Sequence, residues 1–251
     1  MPLSTYLPRR RAVAIDRASG NVVWMAGGDA DAPTWLQEAS VVAPVGVAEG
    51  VVVALVDQFL QMHNLSVVGF DLATGRVLWR CRLGYGARET NLFGNPLREL
   101  AGSAIAVADG QAYVATGLGL VASVDVLAGR VRWVASYVPL PIEPVITWYE
   151  APLRRPSFGP SRVVVADDVI VVAPGDGHHV CAYERATGVL RWRTPVPDRL
   201  PRSTVAHLLG IVGHGADAKV IVTAGGVTAL DLATGDVSWQ GYTDPRPSDV
   251  I

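Results

Sequence analysis

The chain has 251 residues, half of them apolar, so it is long enough to bury a substantial core and is not a disordered segment. Twenty-one basic residues against 23 acidic ones give a formal charge of -2 with no long single-sign block, which leaves no electrostatic footprint for nucleic acid or an anionic membrane surface. Two cysteines, Cys81 and Cys181, a hundred residues apart, exclude a disulfide framework and read as unpaired, buried small apolar residues.

The N-terminus, MPLSTYLPRRRAVAIDRASG, has three consecutive arginines but no uninterrupted apolar stretch behind them, so it does not read as a secretory signal. Its last residues open a pattern that returns along the whole chain. The segments IDRASGNVVW, FDLATGRVLW, VDVLAGRVRW, YERATGVLRW and LDLATGDVSW each place glycine four residues after an acid and tryptophan four after the glycine. The triplets are Asp16, Gly20 and Trp24; Asp71, Gly75 and Trp79; Asp125, Gly129 and Trp133; Glu184, Gly188 and Trp192; and Asp231, Gly235 and Trp239. An acid opening a tight loop accepts backbone N–H groups that no ladder satisfies, and the glycine supplies the positive φ that closes the hairpin. The tryptophan then falls mid-strand, where its ring fills the gap between neighbouring sheets. The residue two before each acid is small (Ala14, Gly69, Ser123, Ala182, Ala229), as expected where one sheet approaches another closely.

Between the motifs lie two further strand signals per repeat. They are SVVAPVGVA and VVVALVD, SAIAVA and AYVATG, RVVVA and VIVVAPG, then TVAHLLGIVG and KVIVTAG, with no helical period. The most apolar window, residues 41–56, is broken by Pro44, Gly46, Glu49 and Gly50 and cannot be a spanning helix. Four short antiparallel strands repeated every 47 to 59 residues predict an all-β propeller of four-stranded blades. The expected division is a partial blade at 1–24, complete repeats at 25–79, 80–133, 134–192 and 193–239, and a tail at 240–251. About four and a half blades result, either a small ring closed by its termini or an arc of a larger propeller.

The pattern small residue, x, Asp, x, x, Thr, Gly, x, x, x, Trp, best seen in GFDLATGRVLW and ALDLATGDVSW, resembles the tryptophan-docking motif of the pyrroloquinoline-quinone-like (PQQ-like) β-propeller repeats. Two functional classes share these repeats. One is non-catalytic, as in the lipoprotein of the outer-membrane protein assembly machinery; the other is the quinone-dependent dehydrogenases. In the second, the resemblance implies a cofactor under a disulfide between adjacent cysteines and beside a calcium ion. This sequence has no adjacent cysteine pair and no residue that carries over as a calcium ligand. The expected role is therefore non-enzymatic binding or scaffolding, without cofactor or metal, toward a protein partner in the bacterial cell envelope. A second copy or further blades of a longer chain are other possible partners, and an extracytoplasmic compartment follows from the resemblance alone.

Loop length points to the binding end. Tight turns (Glu49-Gly50, Asp109-Gly110, Asp167-Asp168 and the five glycine motifs) gather at one end of the blades, and the long segments, DQFLQMHN among them, at the other. The richest long segments supply Arg88, Asn91, Asn95 and Arg98 in one, and Trp148, Tyr149, Arg154 and Arg155 in the other, the aromatic and arginine mixture of interaction hot spots. His178 and His179, adjacent on a strand, would point to opposite faces and share no metal. Asp167 and Asp168 sit in a hairpin turn rather than in a catalytic cleft.

Overall fold

The computed structural model describes residues 9–28, 31–87, 100–140, 158–159, 161–195, 206–223 and 226–241. They form five antiparallel sheets in chain order. Blade 1 is the hairpin β1 (Val13–Ile15) and β2 (Val22–Met25). Blade 2 holds β3 (Ser40–Val41), β4 (Gly46–Ala48), β5 (Val51–Asp57), β6 (His63–Asp71) and β7 (Val77–Gly86). Blade 3 runs β8 (Ala106–Ala108), β9 (Gln111–Ala115), β10 (Leu120–Asp125) and β11 (Val131–Ser136). Blade 4 runs β12 (Val164–Ala166), β13 (Val169–Val172), β14 (His179–Glu184) and β15 (Leu190–Pro195), and blade 5 runs β16 (His207–Val212), β17 (Lys219–Thr223), β18 (Val227–Asp231) and β19 (Val237–Gly241). The architecture is an all-β propeller. In blades 3 to 5 each strand pairs with its chain neighbour, as short connections require.

Three details differ from the sequence reading. The first strand of blade 2 is split, because Pro44 cannot donate to a ladder; β3 and β4 each pair with β5 on either side of it. The segment before β3 winds into a single helical turn, α1 (Thr34–Gln37), behind Pro33. Most informative is the small residue two before each acid. Ala14, Gly69, Ser123, Ala182 and Ala229 lie directly across the hairpin from Trp24, Trp79, Trp133, Trp192 and Trp239. A Cβ on Gly69 would fall 2.3 Å from the Trp79 ring, so smallness makes room for the tryptophan of the same blade rather than for a neighbouring sheet.

The loop joining the last two strands is built alike in each blade. Asp71 Oδ1 accepts from Ala73 N, Thr74 N and Thr74 Oγ1 at 2.7 to 3.1 Å, and Gly75 N donates to Asp71 O at 2.8 Å. Asp16, Asp125 and Asp231 repeat the arrangement, and Glu184 takes the Thr187 hydroxyl with its longer arm. Every one of the glycines holds positive φ, 62 to 77°. A bulge one residue before each tryptophan then adds local twist.

Blades are joined through these loops. Trp24 Nε1 donates to Leu72 O, Trp79 to Val126 O, Trp133 to Arg185 O and Trp192 to Leu232 O, at 2.8 to 2.9 Å. In each case the acceptor is the residue after the next blade's acid, and the indole lies on that blade's glycine. A Cβ on Gly75, Gly129, Gly188 or Gly235 would come within 2.4 to 2.6 Å of the ring above it. Behind each ring lies an apolar seam: Val52, Ala54, Val56, Val68 and Phe70 of blade 2 against Ala12 and Trp24 of blade 1, for example, or Val169, Val171 and Trp192 of blade 4 against Val220, Val222 and Leu230 of blade 5.

Gly129 and Gly20 separate the two demands on the motif glycine. Gly20→Ala meets only the backbone penalty of positive φ, about 1 to 2 kcal/mol, since nothing lies within 4 Å of its Cβ position. Gly129→Ala adds the clash with Trp79, about 1 to 3 kcal/mol more. Urea unfolding of the two variants should show that difference in stability. The loop carboxylates add an acid dependence. Hydrogen bonds to Ser19, Thr74, Ala128 and Lys219 hold Asp16, Asp71, Asp125 and Asp231 below their ordinary value. Their contribution is complete above the unfolded carboxylate value of about 4 and is lost as pH falls through the folded values. The urea midpoint should therefore drop on acidification through that range.

Candidate functional site

The long-loop residues singled out in the sequence, Arg88, Asn91, Asn95 and Arg98 together with Trp148, Tyr149, Arg154 and Arg155, lie outside the described residues. The described chain presents another candidate, the tip between β5 and β6. Phe59, Leu60 and Met62 project from it, and Tyr85, across the ladder from Asn64 on β7, extends the patch. Leu60 is 63% exposed and Tyr85 58%. Phe59, Leu60 and Met62 are neighbours along one short tip, and exposed apolar side chains grouped in this way mark an interaction surface.

The tip is held from below. Asp57 closes β5 and His63 opens β6; Asp57 Oδ2 meets His63 Nδ1 at 2.7 Å, and Asp57 Oδ1 accepts Asn64 N at 3.0 Å, with all three residues buried. The carboxylate orients the imidazole by accepting from its Nδ1. Phe59 stands edge-on to that ring at 5.5 Å. Asn64 Oδ1 is a buried acceptor with no hydrogen-bond partner among the described residues.

Cationic groups flank the patch. Arg80 lies 3.9 Å over the ring of Trp35 on α1, donates to Ser66 Oγ at 3.0 Å and reaches Gln58 Oε1 at 3.4 Å. Burial, and then the charge of Arg82, lower the Arg80 guanidinium from its usual value, yet an arginine remains charged. Arg82 donates to the Tyr85 hydroxyl at 2.6 Å. Apolar knobs beside two guanidiniums suit a protein segment that offers apolar side chains and carboxylates.

The opposite end carries a cleft of about 520 Å³ between blades 3 and 4. Its charges are mutually satisfied: Arg185 binds Tyr113 Oη, Asp167 O and Asp109, and Arg191 binds Asp168 Oδ2 at 2.5 Å. The Arg191 hydrogen bond, made within blade 4, holds Asp168 below its ordinary value. His178 precedes β14 in a bend and only His179 is in the strand. Among the described residues no three His, Cys, Asp or Glu side chains gather to hold a metal.

The comparisons with known proteins bear on this arrangement. The family model described as outer membrane protein assembly factor BamB matches residues 5–142 and 146–250, nearly the whole chain. The chain belongs to this PQQ-like propeller family. No curated protein matches it by sequence. Among solved structures, BamB from Moraxella catarrhalis is similar with a TM-score of 0.55 at 16% identity, over 95% of this chain and 62% of that one. The quinohemoprotein alcohol dehydrogenase ADHIIG from Pseudomonas putida HK5 gives 0.56 at 14% identity, over 95% and 40%. A europium-containing methanol dehydrogenase gives 0.52 at 14%, over 92% and 46%. The chain thus spans about two fifths to three fifths of the length of these structures, and the likeness establishes the fold they share.

Within the PQQ-like family the dehydrogenase branch implies a quinone cofactor, and the cysteines here do not fit it. Cys81 lies half-buried on β7 and Cys181 buried on β14, in different blades and both as free thiols. Burial raises both thiols from their ordinary value, Cys181 to about 11. Among the described residues no helix is long and apolar enough to cross a membrane.

What sequence reasoning missed was the tip itself. DQFLQMHN reads as a long loop in the sequence, where nothing separates Phe59, Leu60 and Met62 from residues that a core would absorb; only the buried Asp57 and His63 beneath show which side chains face out. Asp57→Ala leaves the His63 ring and Asn64 N–H without their acceptor in a buried setting, a loss of about 1 to 3 kcal/mol. Chemical denaturation should register that loss, and hydrogen exchange should show faster exchange at Asn64.

Proposed function

We propose that the chain is a non-catalytic binding or scaffolding β-propeller of the bacterial cell envelope, and that it engages a protein partner through the β5–β6 tip. The observation that carries this reading is the exposed cluster of Phe59, Leu60, Met62 and Tyr85 standing on a buried Asp57–His63 clamp. A rigid stem with apolar knobs has little ordering to lose on association, the condition under which a small patch binds a protein well. Membership of the family described as an outer membrane protein assembly factor supports an envelope protein as the partner class. The misfit of the cysteines to a quinone site weighs against dehydrogenase chemistry.

The test is affinity capture from bacterial envelope extract with the intact chain and with Leu60→Asp and Met62→Asp. Both side chains are exposed, so each variant should keep the melting temperature within a few degrees while losing tenfold or more in partner retention. Retention that both variants leave unchanged would remove the tip from the binding surface.

A further inference from the structure

The four blade junctions share one design, and the described chain carries each half of it once more without the other. On the leading side of an internal blade, the residues one and three before the acid face the preceding blade. They are Phe70 and Val68, Val124 and Ala122, Tyr183 and Cys181, Leu230 and Thr228, and none is more than 7% exposed. In blade 1 the same positions are Ile15 and Val13, at 61% and 43%. Gly20 has its positive φ of 73° but no ring above it among the described residues, and Arg17 holds the motif position whose carbonyl accepts the indole at Leu72, Val126, Arg185 and Leu232 elsewhere. On the trailing side, Trp24, Trp133 and Trp192 are 8% exposed, whereas Trp239 is 50% exposed. It stands on β19, all five residues of which are exposed.

We infer that blade 5 of one chain docks on blade 1 of a second copy, Trp239 lying on the partner copy's Gly20 loop with its indole N–H on the Arg17 carbonyl. The two open faces are the complementary halves of an interface that this sequence already builds four times within itself. No new recognition element is needed: the donor, the glycine cradle and the apolar residues behind them stand in the same order as at each internal junction. The contact is head-to-tail, so each copy has one of each half to offer, and copies join in a closed ring or a longer row according to the rotation between them. This interface lies on the blade faces and is independent of the β5–β6 tip, so it stands or falls apart from the proposed function.

Light-scattering mass after size exclusion, on the 251-residue chain across the micromolar range, reads the association directly. The unmodified chain should approach at least twice its 26.6 kDa as concentration rises. Ile15→Glu spoils the leading half and Trp239→Ala the trailing half; each side chain is half or more exposed, and Val13→Glu serves as a second leading variant should the first fold poorly. Each variant alone should weaken association tenfold or more. An equimolar mixture of Ile15→Glu with Trp239→Ala should regain a mass of one copy of each, because the first keeps its tryptophan and the second its glycine loop. Circular dichroism confirms that the variants are folded. A chain that stays at 26.6 kDa at every concentration overturns the inference, as it would if its own ends met or further blades were required. So does association that the variants leave intact, or a mixture that fails to pair.

Discussion

A buried indole must place both its large ring and its single N–H donor, and the blade junction answers both demands at one point. The ring covers a glycine, where no Cβ obstructs it, and the N–H meets a carbonyl that the same loop turns outward. Glycine is required twice over there, for the positive φ of the turn and for the clearance under the ring. The acid serves the junction indirectly. By taking the N–H groups of its own loop it holds the glycine and the acceptor carbonyl in the place where the preceding tryptophan arrives.

Because the junction joins each blade only to its neighbours, the molecule is a linear array whose stability is a sum of blades and seams. That geometry also separates structure from function. The acid-glycine loops are occupied in holding blades together, as is Arg185 of blade 4, which reaches Tyr113 and Asp109 of blade 3 at the same end. At the other end Asp176, between β13 and β14, joins blade 4 to blade 3 by accepting from Gly119 N and from the Tyr137 hydroxyl. At the β5–β6 tip the chain instead stands apolar side chains in solvent above a buried carboxylate and imidazole.

Most of the fold was legible because its period is written in residues with no substitute. Tryptophan, glycine and an acid at fixed spacing identify the hairpin, and their recurrence identifies the blade. The reason for the small residue opposite each tryptophan was not legible, since sequence spacing does not show which strand lies across a bulged hairpin; the register places Gly69 against Trp79 and settles it. The split of the first strand in blade 2 follows from Pro44, visible in the sequence but read there as part of one strand. The site was harder to read. Asp57 and His63 are six residues apart and form a pair only because a hairpin folds them together, and exposure of Leu60 and Met62 is a property of that fold rather than of their chemistry.

The account turns on the docked indoles, and hydrogen exchange of the tryptophan indole N–H groups, followed by NMR in a chain labelled at tryptophan, measures them most directly. Bonded to Leu72, Val126, Arg185 and Leu232, the indoles of Trp24, Trp79, Trp133 and Trp192 should exchange far more slowly than free indole. Exchange of these four at the rate of a free indole would contradict the junction, and with it the explanation of the fold.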